Sequence, residues 1–396
     1  MQNGALLIPS LEILESIHCW EQGKAFLHAK LIEYKGKKGA LITYSNPPVH
    51  QMGNPALEAY LASFQNIEDG LNELSFLVLD WPPDPVHAGG DLKESLKKLE
   101  STQIEAAKLE AAGASPNDVD ALYAWGDARL EKGFALYEAM RRVGDKLRTI
   151  AVCGGGTRFG GSAEVPLMAD WLVGDSRSAM CFSESQIGLI PGWGGVGRAV
   201  TKAGPENAKV MSMTCRIVKA KDLMDIGIYD KTVNIDTPLP RMSREGNKEM
   251  NKALYLKALE ENRTETRKKM LPVALDLAIS DELEKKPAGE RKILLTENEL
   301  SEEITKRTNP QNYKTIWGKP LKEVKDEIKT LRKPLAPQSI VELSQLLDDL
   351  DMNSYDEKAF IRAESKADAK LYRDPRFREG ILATLKQRIA NFTEKF

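Results

Sequence analysis

The chain has 396 residues, of which 42% are hydrophobic and 29% charged. It is too long for one average domain, and its composition is that of a globular protein with a sizeable core. A formal net charge of -2 leaves no nucleic-acid footprint, and basic runs such as Arg267-Lys268-Lys269 sit among acidic residues as on a solvated helix face.

The cysteines, Cys19, Cys153, Cys181 and Cys215, are scattered without a CxxC pair or a histidine at metal-ligand spacing. The expectation is no disulfide framework, no structural metal and a reducing cytoplasm. The opening residues carry no basic n-region, and no segment approaches the roughly 18 apolar residues of a membrane span, so no membrane partner is expected.

In chain order, Ala29–Tyr34 and Ala40–Tyr44 are β-prone runs around a polar turn at 35–39 and predict a hairpin. Asn46-Pro47-Pro48 stops the second strand, because proline lacks the ladder N–H. Leu57, Tyr60, Leu61 and Phe64 have helical spacing. Phe76–Asp80 is a continuous apolar run, the mark of a strand buried on both faces, and Ile150–Cys153 is another. Strand, helix and buried strand in alternation predict an α/β fold. Glu94–Arg141 is rich in Ala, Lys and Glu and reads as a helical insertion or lid at about 95–140, broken at Gly113–Pro116. After residue 236 the composition turns to Lys/Glu-rich helix, with breaks expected at Pro272, Pro287, Pro310 and Pro320. Ile340, Leu343, Leu346, Leu347 and Leu350 share one helix face.

Three segments carry chemistry. His87-Ala88-Gly89-Gly90-Asp91 follows a Pro-rich stretch, and its small residues let backbone approach a ligand; a tight turn is the plainer explanation. Cys153–Glu164 is glycine-rich and runs from a strand into a helix start, where free N–H groups and the macrodipole favour negative charge. It has neither GxGxxG spacing nor the Gly-Lys-Ser/Thr of a P-loop. Phe182–Gly195 holds Glu184, twenty residues beyond Glu164. Each glutamate alone is better explained by structure than by catalysis, Glu164 as a stabilising helix-start residue and Glu184 as a surface carboxylate before a strand.

In order and composition the three segments resemble the enoyl-CoA hydratase/isomerase (crotonase) superfamily over roughly residues 25–235. Ala88-Gly89-Gly90-Asp91 matches its A-G-x-D segment, and Gly160-Gly161-Ser162-Ala163-Glu164 its Gly-Gly-x-x-Glu helix start. Glu184 with Gly188–Gly195 matches the glutamate before its G-x-I-P-G-x-G-G turn. Arg216–Ile228 looks like the helix-and-strand return that follows.

The resemblance implies a spiral of ββα turns in two roughly perpendicular sheets. It implies that the Ala88 and Gly161 N–H groups hold a thioester oxygen, that Ala88 through Asp91 line an acyl-CoA channel, and that Glu164 and Glu184 form the acid/base pair. Coenzyme A would enter with the substrate, with no metal, flavin or nicotinamide, in a homo-oligomer (trimer or hexamer). Two carboxylates suit hydration, in which one group activates water and one manages the α-proton. Lys93 would meet a coenzyme phosphate or stay solvated, and His87 would touch substrate or be held by a loop carbonyl.

Ser183 departs from the family's proline, Cys153 from a common asparagine, and the loop before Gly160 is about two residues longer. Lys333–Ile340, the helix after it and Phe377–Leu382 look like the tail of 3-hydroxyisobutyryl-CoA hydrolases. Thioester hydrolysis, including that of ring-opening acyl-CoA hydrolases, therefore stands as the alternative to hydration, and a non-catalytic acyl-CoA-binding member as a third. The expected organisation is an acyl-CoA domain over 1–235 and a helical C-terminal extension over 236–396.

Overall fold

A computed structural model describes residues 8–243, 247–281 and 291–393. They form a mixed α/β fold with a largely helical C-terminal part, as the alternation of elements predicts. The chain divides into two compact units. The first comprises residues 1–89, 136–180 and 217–292, and the second 90–135, 181–216 and 293–396.

The first unit is built on a seven-stranded sheet. Strands β1 (Leu11–Gln22), β2 (Ala25–Tyr34) and β3 (Lys37–Ser45) are antiparallel. Tyr34 pairs with Lys37, so the predicted hairpin closes through Lys35 and Gly36, both at positive φ, the backbone a two-residue turn requires. β1 was not expected. It is mostly exposed, so it has no buried face to impose an apolar alternation. Helix α1 (Asn54–Asp69) buries Leu57, Tyr60 and Phe64 as the spacing predicts, and β4 (Phe76–Asp80) is buried throughout.

β5 (Val86–His87) ends this segment. The insertion is helical: α2 (Leu92–Ala111), α3 (Pro116–Ala121) and α4 (Ala124–Gly144). Its predicted break is where Ser115 and Asp118 form a capping box. Then come β6 (Arg148–Cys153), β7 (Thr157–Phe159), α5 (Gly161–Leu167), β8 (Trp171–Asp175) and β9 (Ala179–Cys181). Next are α6 (Gly195–Ala203), α7 (Pro205–Thr214), β10 (Val218–Lys219), α8 (Ala220–Asp225) and β11 (Lys231–Val233). The large sheet has the order β1-β2-β3-β4-β6-β8-β11, parallel from β3 onward; β10, β9, β7 and β5 form a second sheet.

Helix α9 (Lys248–Ile279) lies in the segment expected as an extension, yet it packs on β4, β6 and β8. Pro272 does not break it. The lost N–H and ring clash cost about 3 kcal/mol, but Met270, Leu271, Ala274 and Leu275 are buried against Phe76, Val78, Ile150 and Val152. Pro287 falls outside the described residues. The second unit contains α10 (Glu297–Thr308), α11 (Lys325–Leu331), α12 (Pro337–Leu347), α13 (Glu357–Tyr372) and α14 (Pro375–Leu385). Pro310 opens a 3-10 turn after α10, and α12 buries Ile340, Leu343 and Leu347 as predicted.

The polar side of α9 closes the carboxyl ends of the central strands. Arg263 donates twice to Asp84, from Nε at 2.7 Å and Nη2 at 2.6 Å, and Arg267 pairs with Asp80. Asp84 also takes His50 Nε2 at 2.7 Å. The Asn46 N–H meets His50 Nδ1 at 3.0 Å, which leaves Nε2 to carry the proton toward Asp84. Burial raises the Asp84 pKa, but the bonds from Arg263 and His50 outweigh it and hold the carboxyl below its usual range. His87 stacks on His50 with centroids 4.9 Å apart and is fully buried. Burial, with Arg158 and His50 alongside, holds His87 well below the usual 6.5.

Two outcomes follow. Leu275→Ala should cost about 2–5 kcal/mol in urea unfolding, the price of a buried leucine in a core; a change near zero would make α9 an appendage. His87 stays neutral when folded but takes a proton when unfolded below about pH 6.5, so acidification favours the unfolded chain, and the Asp84 contribution fades further down. The stability lost between about pH 7.5 and about pH 5.5 should shrink in His87→Gln, read by urea unfolding at each pH.

Candidate active site

Gly89 is the pivot of the predicted site. A Cβ there would lie 2.9 Å from the Phe159 carbonyl oxygen, 3.1 Å from the Gly161 nitrogen and 3.2 Å from Gly160 Cα. All three are backbone atoms that cannot swing aside, so only glycine lets the 88–89 and 159–161 segments touch. Gly160 adds a positive φ of 50° just before α5. Ser162 Oγ donates to the Ala88 carbonyl, tying the segments from the other side. The structure thus brings Ala88, Gly89 and Gly161 together within the first unit, and Glu164, one turn into α5, is 3% exposed.

The two amides differ. Gly161 is the first residue of α5, where an N–H has no acceptor within the helix. The Ala88 N–H donates to the Val49 carbonyl at 2.6 Å. Val49 is held in turn, because His50 N–H donates to the Asn46 carbonyl at 2.6 Å and Met52 N–H to the Gly89 carbonyl at 2.9 Å.

Gly90, Asp91 and Glu184 belong to the second unit. Gly90 packs against Arg129, and Asp91 caps α2 by accepting the N–H groups of Lys93 at 3.0 Å and Glu94 at 3.1 Å. Lys93 is exposed. Glu184 opens a 3-10 turn (Glu184–Gln186) and is 9% exposed, so it is no surface carboxylate. The glycine turn after it is held by α13. Buried Glu364 accepts the N–H groups of Gly194 and Gly197, each at 2.9 Å, and Asp368 accepts that of Ile190 at 2.9 Å.

His87 is held within the loop, by a hydrogen bond to the Asp84 backbone, and faces no solvent. It is clamped between His50 and Arg158, whose Nη1 lies 3.4 Å from its Nδ1. Sequence reasoning missed His50, Asp84, Arg263, Glu364 and Asp368, whose partners are brought to them only by the fold. It also missed Cys19, Glu21 and His28, whose possible metal-ligating atoms lie within 4.8 Å of one another. Cys19 and His28 face each other across the β1–β2 ladder, so their linear spacing gives no sign. A cavity of about 530 Å³ touches Ser75, Arg148 and Trp171 at the amino ends of the parallel strands, the end opposite to Asp80 and Cys153. Ligands of parallel sheets gather at carboxyl ends, so this cavity is not the site. Among the described residues no helix is long and apolar enough to cross a membrane.

Residues 91–279 match the family model for enoyl-CoA hydratase/isomerase. A crotonyl-CoA hydratase of Syntrophomonas wolfei is 27% identical over 114 residues, covering 29% of this chain and 42% of that protein. A fatty acid oxidation complex subunit alpha of Idiomarina loihiensis is 36% identical over 96 residues, 23% of this chain and 13% of that one. The chain thus matches less than half the length of these relatives. An enoyl-CoA hydratase structure from Rhodobacter sphaeroides superposes with a TM-score of 0.48 at 16% identity, over 98% of this chain and 93% of that one. Over residues 91–279, just under half of its length, the chain is thus similar to the enoyl-CoA hydratase/isomerase (crotonase) superfamily.

Proposed function

We propose that the chain adds water across the α,β double bond of an enoyl-CoA thioester. The observation that supports this reading is the backbone contact of Gly89 with residues 159–161, with buried Glu164 three residues beyond Gly161. Attack of water at the β-carbon moves an electron pair onto the thioester oxygen. Two N–H groups aimed at that oxygen would stabilise the charge, each worth about 3 kcal/mol in comparable sites. One carboxylate of the Glu164/Glu184 pair takes the proton from the attacking water, and the carboxylic acid of the other supplies a proton to the α-carbon. The sum is one water added and no net change in the pair's protonation. Coenzyme A enters as part of the substrate, so this reading calls for no further cofactor.

The Ala88 N–H already has an acceptor, so binding exchanges the Val49 carbonyl for the thioester oxygen. The Cys181 and Cys215 thiols are poor alternatives as nucleophiles, because burial pushes Cys215 up to about 11 and Cys181 well above its usual value. A cytoplasmic homo-oligomer, trimer or hexamer, goes with this reading and is open to light scattering.

Purified chain should consume crotonyl-CoA with loss of the conjugated thioester absorbance. Free thiol released from a 3-hydroxyacyl-CoA would replace hydration with thioester hydrolysis, and neither change would leave acyl-CoA binding alone. Glu164→Gln and Glu184→Gln should each slow turnover by at least about 100-fold with the fold intact. Near-normal turnover in both variants removes the acid/base assignment.

A further inference from the structure

In the second unit, three guanidinium groups converge on one carboxylate. Glu303 and Arg307 stand one turn apart on α10, with Arg307 Nη1 2.8 Å from Glu303 Oε1. Arg332, just after α11, pairs with the same oxygen, and Arg216, two residues after α7, lies 3.6 Å from the other. A purely structural ion network would balance its charges, since like charges held together in a partly buried site repel and destabilise the fold. Here the imbalance is visible in Arg332, which burial, followed by the repulsion of Arg307, holds below its usual range.

Among the described residues, nearby groups do not restore the balance. Cys181 and Cys215 are neutral thiols at ordinary pH. Glu299 is exposed, though it feels Arg216. Lys333 adds a fourth basic residue, and its carbonyl accepts Arg307 Nε at 2.8 Å. Arg307 is 1% exposed, and its Nη2 has no hydrogen-bond partner among the described residues. The side chains of Arg216 and Arg332 are 29% and 35% exposed, so a small ligand can reach them from solvent.

We infer that Arg216, Arg307 and Arg332 form a binding site for an oxyanion group, a carboxylate or phosphate carried by a small molecule, with Glu303 holding the guanidinium groups in place. Guanidinium forks match the planar or tetrahedral oxygens of such groups and bind them through charge-assisted hydrogen bonds. The site adjoins the turn that carries Glu184. Ala336, four residues beyond Arg332, donates its N–H to the Ser185 carbonyl of that turn at 2.8 Å.

The test uses the full-length chain and two probes, inorganic phosphate and glutarate, titrated against chloride at matched ionic strength. Binding is read by thermal shift and by isothermal titration. At least one probe should bind saturably. Arg332→Gln should weaken it at least about tenfold, the worth of one charge-assisted bond. Arg216→Gln, at the more open end of the cluster, should weaken it as well and serves if Arg332→Gln folds poorly. Glu303→Gln removes the competing negative charge and should leave affinity equal or tighter. Preference for glutarate assigns the site to a carboxylate, and preference for phosphate to a phosphate ester. No saturable response beyond chloride, or equal binding in both arginine variants, overturns the inference.

Discussion

One buried carboxylate, Asp84, sets the geometry of the first unit. It takes two bonds from Arg263 and one from His50, while its own peptide carbonyl accepts the Gly156 N–H at 2.8 Å. The Pro82–Pro85 stretch around it leaves no room for a side chain at Gly155 or Gly156. Asn262 of α9 adds a bond to the Pro83 carbonyl at 2.9 Å. A carboxylate that is 1% exposed is tolerable only with such pairing, since removing one partner strands a buried charge. The consequence reaches the site by a short path. α9 places Arg263, Arg263 and Asp84 place His50, and His50 fixes the neighbouring Val49 carbonyl that receives the Ala88 N–H.

The second unit uses the same device at its glycine turn. A turn rich in glycine frees N–H groups that ordinary secondary structure would consume, and each needs an acceptor once buried. Glu364 and Asp368, one turn apart on α13, supply carboxylate oxygens to Gly194, Gly197 and Ile190, and Ser365 donates to the Gly192 carbonyl at 3.0 Å. The late helices are therefore part of the support for the Glu184 segment. Their sequence looked like an appendage because the contact spans 170 residues between Gly194 and Glu364.

The same distance effect explains what the sequence disclosed and what it withheld. Local signals carried the hairpin at Lys35-Gly36, the buried run Phe76–Asp80, the break at Ser115-Pro116 and the apolar face of α12, since each is a period or a turn within a few residues. Ala88, Gly161, Glu164 and Glu184 were legible as an ordered set of motifs, though not as a geometry. β1 escaped because an exposed edge strand has no buried face to impose an alternation. Pro272 misled because helix-breaking cost is a local quantity, and packing against the sheet overrode it. The Asp84 centre was invisible, its partners lying 34 and 179 residues away.

The Val49 carbonyl has a consequence for how the proposed oxyanion donors would discriminate. The Ala88 N–H is already bonded to a neutral carbonyl within the chain. A neutral thioester carbonyl that displaces Val49 exchanges one bond for its equal and gains little in the ground state. An enolate oxygen is different: bonds to a charged acceptor are roughly twice as strong as neutral ones, so the exchange then runs clearly in its favour. Competition from Val49 would subtract from substrate binding almost as much as the N–H adds, while leaving about half of the gain at the transition state. That is differential binding, the condition under which a donor raises turnover and not merely affinity. An amide that looks blocked in the resting chain is thus compatible with a working oxyanion hole, provided that the loop held by His50 can give way by the width of one hydrogen bond.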